Sequence, residues 1–230
     1  MKNGGGRWVQ KRTGVSHRGF KHWTNTFRCT KTVQSRPKFI RWHLIFCHRT
    51  MTTDVAGITL ELTQGDIANQ PDMDAVVNAA NAQLSTGGGV AGAIHQAAGP
   101  GLAEEARPMA PIQPGAAVTT GAHDLPNKGV IHVLGPVYGR DEPSDALLRA
   151  GYENALREAE SHGFASVAFP ALSTGAFGFP MRPAAEIALD TILEKARTLE
   201  SVRHIRFVLY DEQALRLHED VFFDLAESRP

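Results

Sequence analysis

The sequence predicts an α/β layered domain with helices on both faces of a sheet. Strand-like and helix-like runs alternate from about residue 58 to residue 225. The run at 74–78 is apolar along most of its length, as expected of a strand covered on both sides. Polar and glycine-rich segments follow the strands at Gly65-Asp66, 78–89, 173–178 and Tyr210-Asp211. In such sheets ligands bind beyond the carboxyl ends of the strands, so four converging loops point to one site.

The elements follow in order. Residues 58–62 alternate apolar and polar, the pattern of a half-buried strand, and 64–67 end it. After the second strand, 90–98 reads as a helix of small residues stopped by Gly99-Pro100, and 102–107 adds a helical turn or two. Short strands at 116–120 and 130–134 flank a turn-rich stretch. Ser144 is placed to cap a helix that reaches His162, with Gly163 as its stop and Leu148, Tyr152, Ala155, Leu156 and Ala159 as its apolar stripe. A strand at 166–171 leads into a loop at 173–180, and Pro183 suits the first turn of the next helix. Residues 204–210 make the last strand and 211–225 the last helix.

The formal net charge of the 230 residues is zero, but it is divided unevenly. Residues 1–50 hold 12 of the 24 basic residues and none of the 24 acidic ones, so the remainder carries a net of −12. All three Trp and both Cys also precede Met51, which stands at the break in composition. Residues 51–230 are the size of one domain, contain no cysteine, and include no run apolar enough to span a membrane; they read as a cytoplasmic domain. The basic leader, 1–50, has no sustained periodicity and is expected to carry little structure. Four readings stand for it: a nucleic-acid arm, a transit peptide, a metal site using Cys29, His43, Cys47 and His48, or a non-native extension ahead of a protein that starts near Met51.

The glycine triplet at 87–89 is the strongest chemical signal. Three consecutive glycines are costly to order, and suit backbone that must approach a ligand closely with N–H groups aimed at it. A helix N-terminus follows, so an anion, and phosphate above all, is the expected ligand. The match of 87–92 to G-x-G-x-x-G does not make a dehydrogenase: it follows the second strand, and no acid ends the strand after it. No Gly-Lys-Ser/Thr follows, so it is not a P-loop either. Two loops, 87–90 and 173–178, remain to grip a diphosphate through backbone N–H groups. Asp66 suits an amino group such as that of adenine, or the cap of a short turn. Tyr210 suits a base, or the closing of the core. Asn78 and Asn81 suit ribose hydroxyls, or turns. His95 lies on the helix after the triplet, four residues beyond Ala91, and is either structural or catalytic.

Taken together, Gln64-Gly65-Asp66-Ile67, Asn78-Ala-Ala-Asn81, Gly87-Gly-Gly-Val-Ala-Gly-Ala-Ile-His95, Val130-Ile-His-Val-Leu-Gly-Pro136, Ala168-Phe-Pro-Ala-Leu-Ser-Thr-Gly-Ala-Phe-Gly178 and Val208-Leu-Tyr-Asp211 resemble the macrodomain, an ADP-ribose-binding module. The resemblance covers about residues 58–225 and none of the leader. It implies a three-layer α/β/α sandwich around a mixed, mostly parallel sheet. It implies that Asp66 binds the adenine amino group, that Ile67 contacts the adenine through its backbone, and that Tyr210 packs near it. Gly87, Gly88, Gly89 and Val90 would form one phosphate loop. Ser173, Thr174, Gly175, Ala176 and Phe177 would form the other, with Phe177 shielding the distal ribose that Asn81 holds.

The resemblance further implies hydrolysis of ADP-ribosyl esters, either on acidic side chains of modified proteins or in O-acetyl-ADP-ribose. A positioned water would attack, assisted by the substrate's own phosphate, with no metal and no cofactor. Asn81 and His95 are the residues it carries to catalysis. One position departs from the most familiar hydrolase branch, which has Asp where this chain has Ala91. Alanine cannot take a proton, so a non-catalytic ADP-ribose reader is the alternative expectation. The implied partners are ADP-ribose or its esters and ADP-ribosylated proteins, with nucleic acid only through the leader and no membrane.

Overall fold

A computed structural model describes residues 23–27 and 49–228 of the chain. In chain order the strands are β1 (Trp23–Phe27), β2 (Arg49–Val55), β3 (Ile58–Gln64), β4 (Ala75–Ala79), β5 (Ala117–Gly121), β6 (Gly129–Val133), β7 (Ser166–Phe169) and β8 (His204–Leu209). The helices are α1 (Gly89–Ala98), α2 (Pro100–Ala106), α3 (Ser144–Ser161), α4 (Met181–Lys195) and α5 (Glu212–Ser228).

The strands form one sheet in the order β1-β2-β3-β8-β7-β4-β6-β5. The five central strands, β3, β8, β7, β4 and β6, are parallel to one another. The remaining pairings, β1 with β2, β2 with β3, and β5 with β6, are antiparallel. The mixed, mostly parallel sheet is therefore as expected. All five parallel strands end at the same edge of the molecule.

Period-2 alternation assigns side chains to the two layers. From β4, Ala75 and Val77 enter a core shared with α3, α4 and α5, while Val76 enters a second core with α1 and α2. From β8, Ile205, Phe207 and Leu209 join the first core and Val208 the second. Tyr152, Phe169 and Phe207 are fully buried in the first, with ring centroids 5.7–6.1 Å apart. Helices on both faces of one sheet make the expected three-layer sandwich. A third, smaller cluster of Ala80, Leu84, Ala106, Ile112 and Leu134 lies under the loop that follows β4.

The predicted strands and helices are all present, with differences at their ends. Ser144 does not cap α3: it is the first helical residue, and Pro143 holds the cap position. The Ser144 hydroxyl turns back and donates to the Asp141 carbonyl (2.7 Å), while the Glu142 carboxylate accepts from the Ser144 N–H (3.0 Å). Gly163 ends α3 with φ +66°, the left-handed turn that glycine supplies without strain. β7 stops at Phe169 rather than at residue 171. Two strands were not foreseen. β2 joins β3 through a two-residue hairpin turn in which Ala56 (φ 54°) and Gly57 (φ 88°) are both left-handed, as a type I′ turn requires. β1 comes from the basic leader, pairing Trp23 with Thr53 and Phe27 with Arg49, so the compositional break at Met51 falls inside β2. The Cys29, His43, Cys47 and His48 set lies outside the described residues.

Candidate functional site

The parallel strand ends bring together segments remote in sequence. Gly65 after β3 and Leu209 at the end of β8 are tied by a backbone hydrogen bond (3.0 Å), and Gln64 donates to the Tyr210 carbonyl (3.5 Å). At this end of the site, Asp66 is exposed while its Oδ1 accepts from the Ala68 N–H (2.9 Å). It therefore caps the short turn and still presents a carboxylate to solvent. Ile67 is buried in the α1–α2 core. Tyr210 is 90% exposed, so it does not close the core; it is an open aromatic face beside the Asp66 turn.

Toward the middle of the edge lies the first glycine loop. The helix α1 starts at Gly89 without a side-chain cap and with no acidic residue in its first turn, so its leading N–H groups and positive dipole end are unneutralised. Gly88 and Gly89 face open space: a Cβ built on either meets nothing within 4 Å. Gly92, one turn in, is required by packing, because a Cβ there would stand 2.7 Å from the Gly87 carbonyl. The close approach of loop to helix depends on that missing side chain.

Asn81, two residues past the end of β4, is held by its own loop. Its Oδ1 accepts from the Ser85 N–H (3.1 Å) and its Nδ2 donates to the Ser85 carbonyl (2.9 Å). A Cβ built on Gly87 would lie 3.6 Å from both Asn81 Nδ2 and Ala91 Cβ, so these three positions surround one spot. Asn78 is elsewhere: fully buried, it donates to His132 Nδ1 (3.1 Å) in the layer between sheet and α1.

The second loop starts from β7. Ser173 is buried with φ +64°, and its carbonyl accepts from the Phe179 N–H (3.0 Å); Gly175 and Ala176 are exposed at the tip. Thr174 donates its hydroxyl to the Ala171 carbonyl (2.9 Å). Phe177 packs against the cluster of Ala80, Leu84 and Leu134, which places it beside the Asn81 loop. A further segment reaches this end, from β6. The Tyr138 N–H donates to the Phe177 carbonyl (2.9 Å), and the half-exposed Tyr138 ring lies 4.8 Å from that of Phe179. Gly135 stands in the Val130–Pro136 motif without a role and Tyr138 lies beyond it, because nothing in a Leu-Gly-Pro turn says which loop it will face.

His95 is buried on α1, 6.3 Å from the ring of His132. Burial lowers its pKa, so it is a neutral imidazole at pH 7. His132 is lowered further, to about 4, chiefly by burial and then by the neighbouring His95. His132 also pairs with Thr120 through Nε2 (2.9 Å). Among the described residues no three His, Asp or Glu side chains gather as a metal site. None of their helices is long and apolar enough to cross a membrane. A charged groove between α4 and α5 has its cations engaged, Arg182 with Asp224 and Arg216 with Glu212.

An edge of five parallel strands, two open glycine loops and an uncapped helix terminus make an α/β fold suited to an anionic ligand, and comparison with known proteins narrows the class. A family model described as the Macro domain matches residues 77–188. An O-acetyl-ADP-ribose deacetylase of Citrobacter rodentium is 46% identical over 165 residues, covering 70% of this chain and 93% of that protein. The chain belongs to the macrodomain family. Among solved structures, the Oceanobacillus iheyensis macrodomain with ADP superposes with a TM-score of 0.75 at 33% identity, covering 79% of this chain and 99% of that one. The Trypanosoma brucei macrodomain in complex with ADP-ribose gives 0.65 at 33% identity, covering 70% and 68%.

Proposed function

We propose that the protein binds ADP-ribose along the carboxyl edge of its sheet and hydrolyses ADP-ribosyl esters, on acidic side chains of modified proteins or in O-acetyl-ADP-ribose. The observation that carries this reading is the open loop 87–90, which runs into an uncapped helix N-terminus, with a second open loop, 173–178, following another of the parallel strands. Their backbone N–H groups suit a diphosphate without an arginine cluster. Asp66, Ile67 and Tyr210 receive the adenine, and Asn81 and Phe177 receive the distal ribose. The names of the relatives support the same ligand and the same reaction.

In the reaction, water attacks the ester carbonyl carbon, the bond from that carbon to the ribose oxygen breaks, and ADP-ribose leaves with the carboxylic acid as second product. Asn81 positions the ribose. The proton lost by the attacking water passes through a phosphate oxygen of the substrate to the departing ribose oxygen, since Ala91 offers no base and the His95 ring is buried on α1. His95 assists from its buried place on α1, the helix that the first loop opens. The reaction belongs in this reading to the cytoplasm, with ADP-ribosylated proteins as partners.

A second reading, an ADP-ribose reader without turnover, is favoured by one observation, Ala91 at the spot shared with Asn81 and Gly87. Loss of a general base typically costs about 10²–10⁴-fold in rate. A time course with O-acetyl-ADP-ribose and with a glutamate-ADP-ribosylated protein separates the two. Release of acetate or of ADP-ribose supports the hydrolase. Binding of free ADP-ribose with no turnover of either substrate establishes the reader.

A further inference from the structure

We propose that Gly135 is a positioning residue of the diphosphate site, acting through Ser173. Gly135 follows β6, is buried, and has no left-handed backbone, so conformational freedom is not why glycine stands there. Space is the reason. A Cβ built on Gly135 would lie 2.1 Å from Ser173 Oγ, 3.4 Å from Ser173 Cβ and 3.7 Å from Ser173 N. The first distance is impossible and the other two are full van der Waals contact, so any side chain at 135 drives the buried Ser173 hydroxyl out of its place.

Ser173 is a position where displacement matters. It is 7% exposed, it carries φ +64°, and its hydroxyl has no hydrogen-bond partner among the described residues. A serine held left-handed with an unpartnered buried hydroxyl is strained, and such strain persists only where the surroundings over-determine it. Seating against Gly135 is what over-determines it here. From this residue the second loop turns: the Ser173 carbonyl accepts from Phe179, and Gly178 donates to Gly175 (3.0 Å) to close the tip. The orientation of the N–H groups at 174–177 follows from the Ser173 turn, and that turn follows from the empty space at Gly135.

The inference rests on the ADP-ribose reading above, but its test separates the two. Gly135→Ala is expected to weaken ADP-ribose binding at least 10-fold by calorimetry, while adenosine, which lacks the diphosphate, binds with unchanged affinity. Adding Ser173→Gly removes both close contacts and suits the left-handed backbone, leaving only the 3.7 Å contact. The double variant is expected to bind within threefold of Ser173→Gly alone. Unchanged affinity in Gly135→Ala, or a loss that Ser173→Gly fails to reverse, overturns the proposal. Should Gly135→Ala not fold, restored folding in the double variant supports the proposal and its failure overturns it. Should the parent protein not bind ADP-ribose, the ligand reading falls, and hydrogen exchange at the Phe179 amide decides alone. Faster exchange in Gly135→Ala that returns to the Ser173→Gly rate in the double variant sustains the proposal, and an unchanged rate defeats it.

Discussion

Position 88 offers the cleanest test of the first loop. A Cβ built there meets no protein atom within 4 Å, so Gly88→Glu starts into open space while adding bulk and negative charge to the loop face. The substituted chain should melt within a few degrees of the parent and lose ADP-ribose binding at least 100-fold by calorimetry. Unchanged affinity in the folded variant would remove the loop from the site. Position 91 tests the chemistry instead. Ala91→Asp sets a carboxylate beside Asn81 and Gly87, where a base could take the proton of the attacking water. Turnover of O-acetyl-ADP-ribose should rise about 10-fold or more, the low end of general-base contributions. A rate that stays level or drops, with ADP-ribose affinity retained, would show that no base works from this position. The residue scale is also where reading the sequence was least complete. Asp66 and Tyr210 each had two readings, and only exposure separates them. The Tyr210 ring lies open, whereas the Asp66 carboxylate both caps its turn and faces solvent. Asn78 and Asn81 are three residues apart and chemically alike, yet one lies inside the sheet layer and the other at its edge.

At the scale of elements, helices were legible from an apolar stripe, as over 144–162, or from small residues with a Gly-Pro stop, as at 90–98, and the strand at 74–78 because burial on both faces makes it apolar. β2 was not legible. Its Thr-Met-Thr-Thr-Asp run is short of apolar residues, and its hairpin turn uses Ala56 where Asn or Asp would announce a type I′ turn. Packing of α1 on the sheet carries a pH prediction. An unfolded imidazole titrates near 6.5 and the folded His132 at about 4. Between those values the unfolded chain binds a proton that the folded chain refuses. Stability is therefore full above pH 6.5, declines as pH falls, and reaches its whole loss below about 4, at most roughly 3 kcal/mol. His95 and His218 are lowered by burial and add in the same sense, whereas lowered carboxylates such as Asp72 act only in more acid solution. Urea unfolding at pH 7 and pH 4.5 checks this: the difference should shrink in His132→Gln, which cannot charge. An equal difference in parent and variant would assign the acid sensitivity elsewhere.

For the whole molecule, the sequence disclosed the layer order and the edge where the loops gather but not the sheet order, since strand neighbours depend on which helical crossover passes over which strand. The composition break at Met51 does not coincide with an element boundary, because β2 starts at Arg49 and pairs with β1. No residue assigned to the ligand precedes Asp66. A chain starting at Met51 should therefore bind ADP-ribose within about threefold of the full chain, at some loss of melting temperature from the missing β1. A larger loss of affinity would bring residues 1–50 into the site.

The position of β8 has a consequence for how the protein comes into being. It lies between β3 and β7, the last strand made yet near the centre of the sheet. Until residues 204–209 slot in, the early half of the sheet, which carries Asp66, and the later half, which carries both glycine loops, have no shared edge. A nascent chain thus carries both glycine loops before it has the strand that joins them to Asp66. On the proposed reading, competence to bind ADP-ribose waits for that final strand.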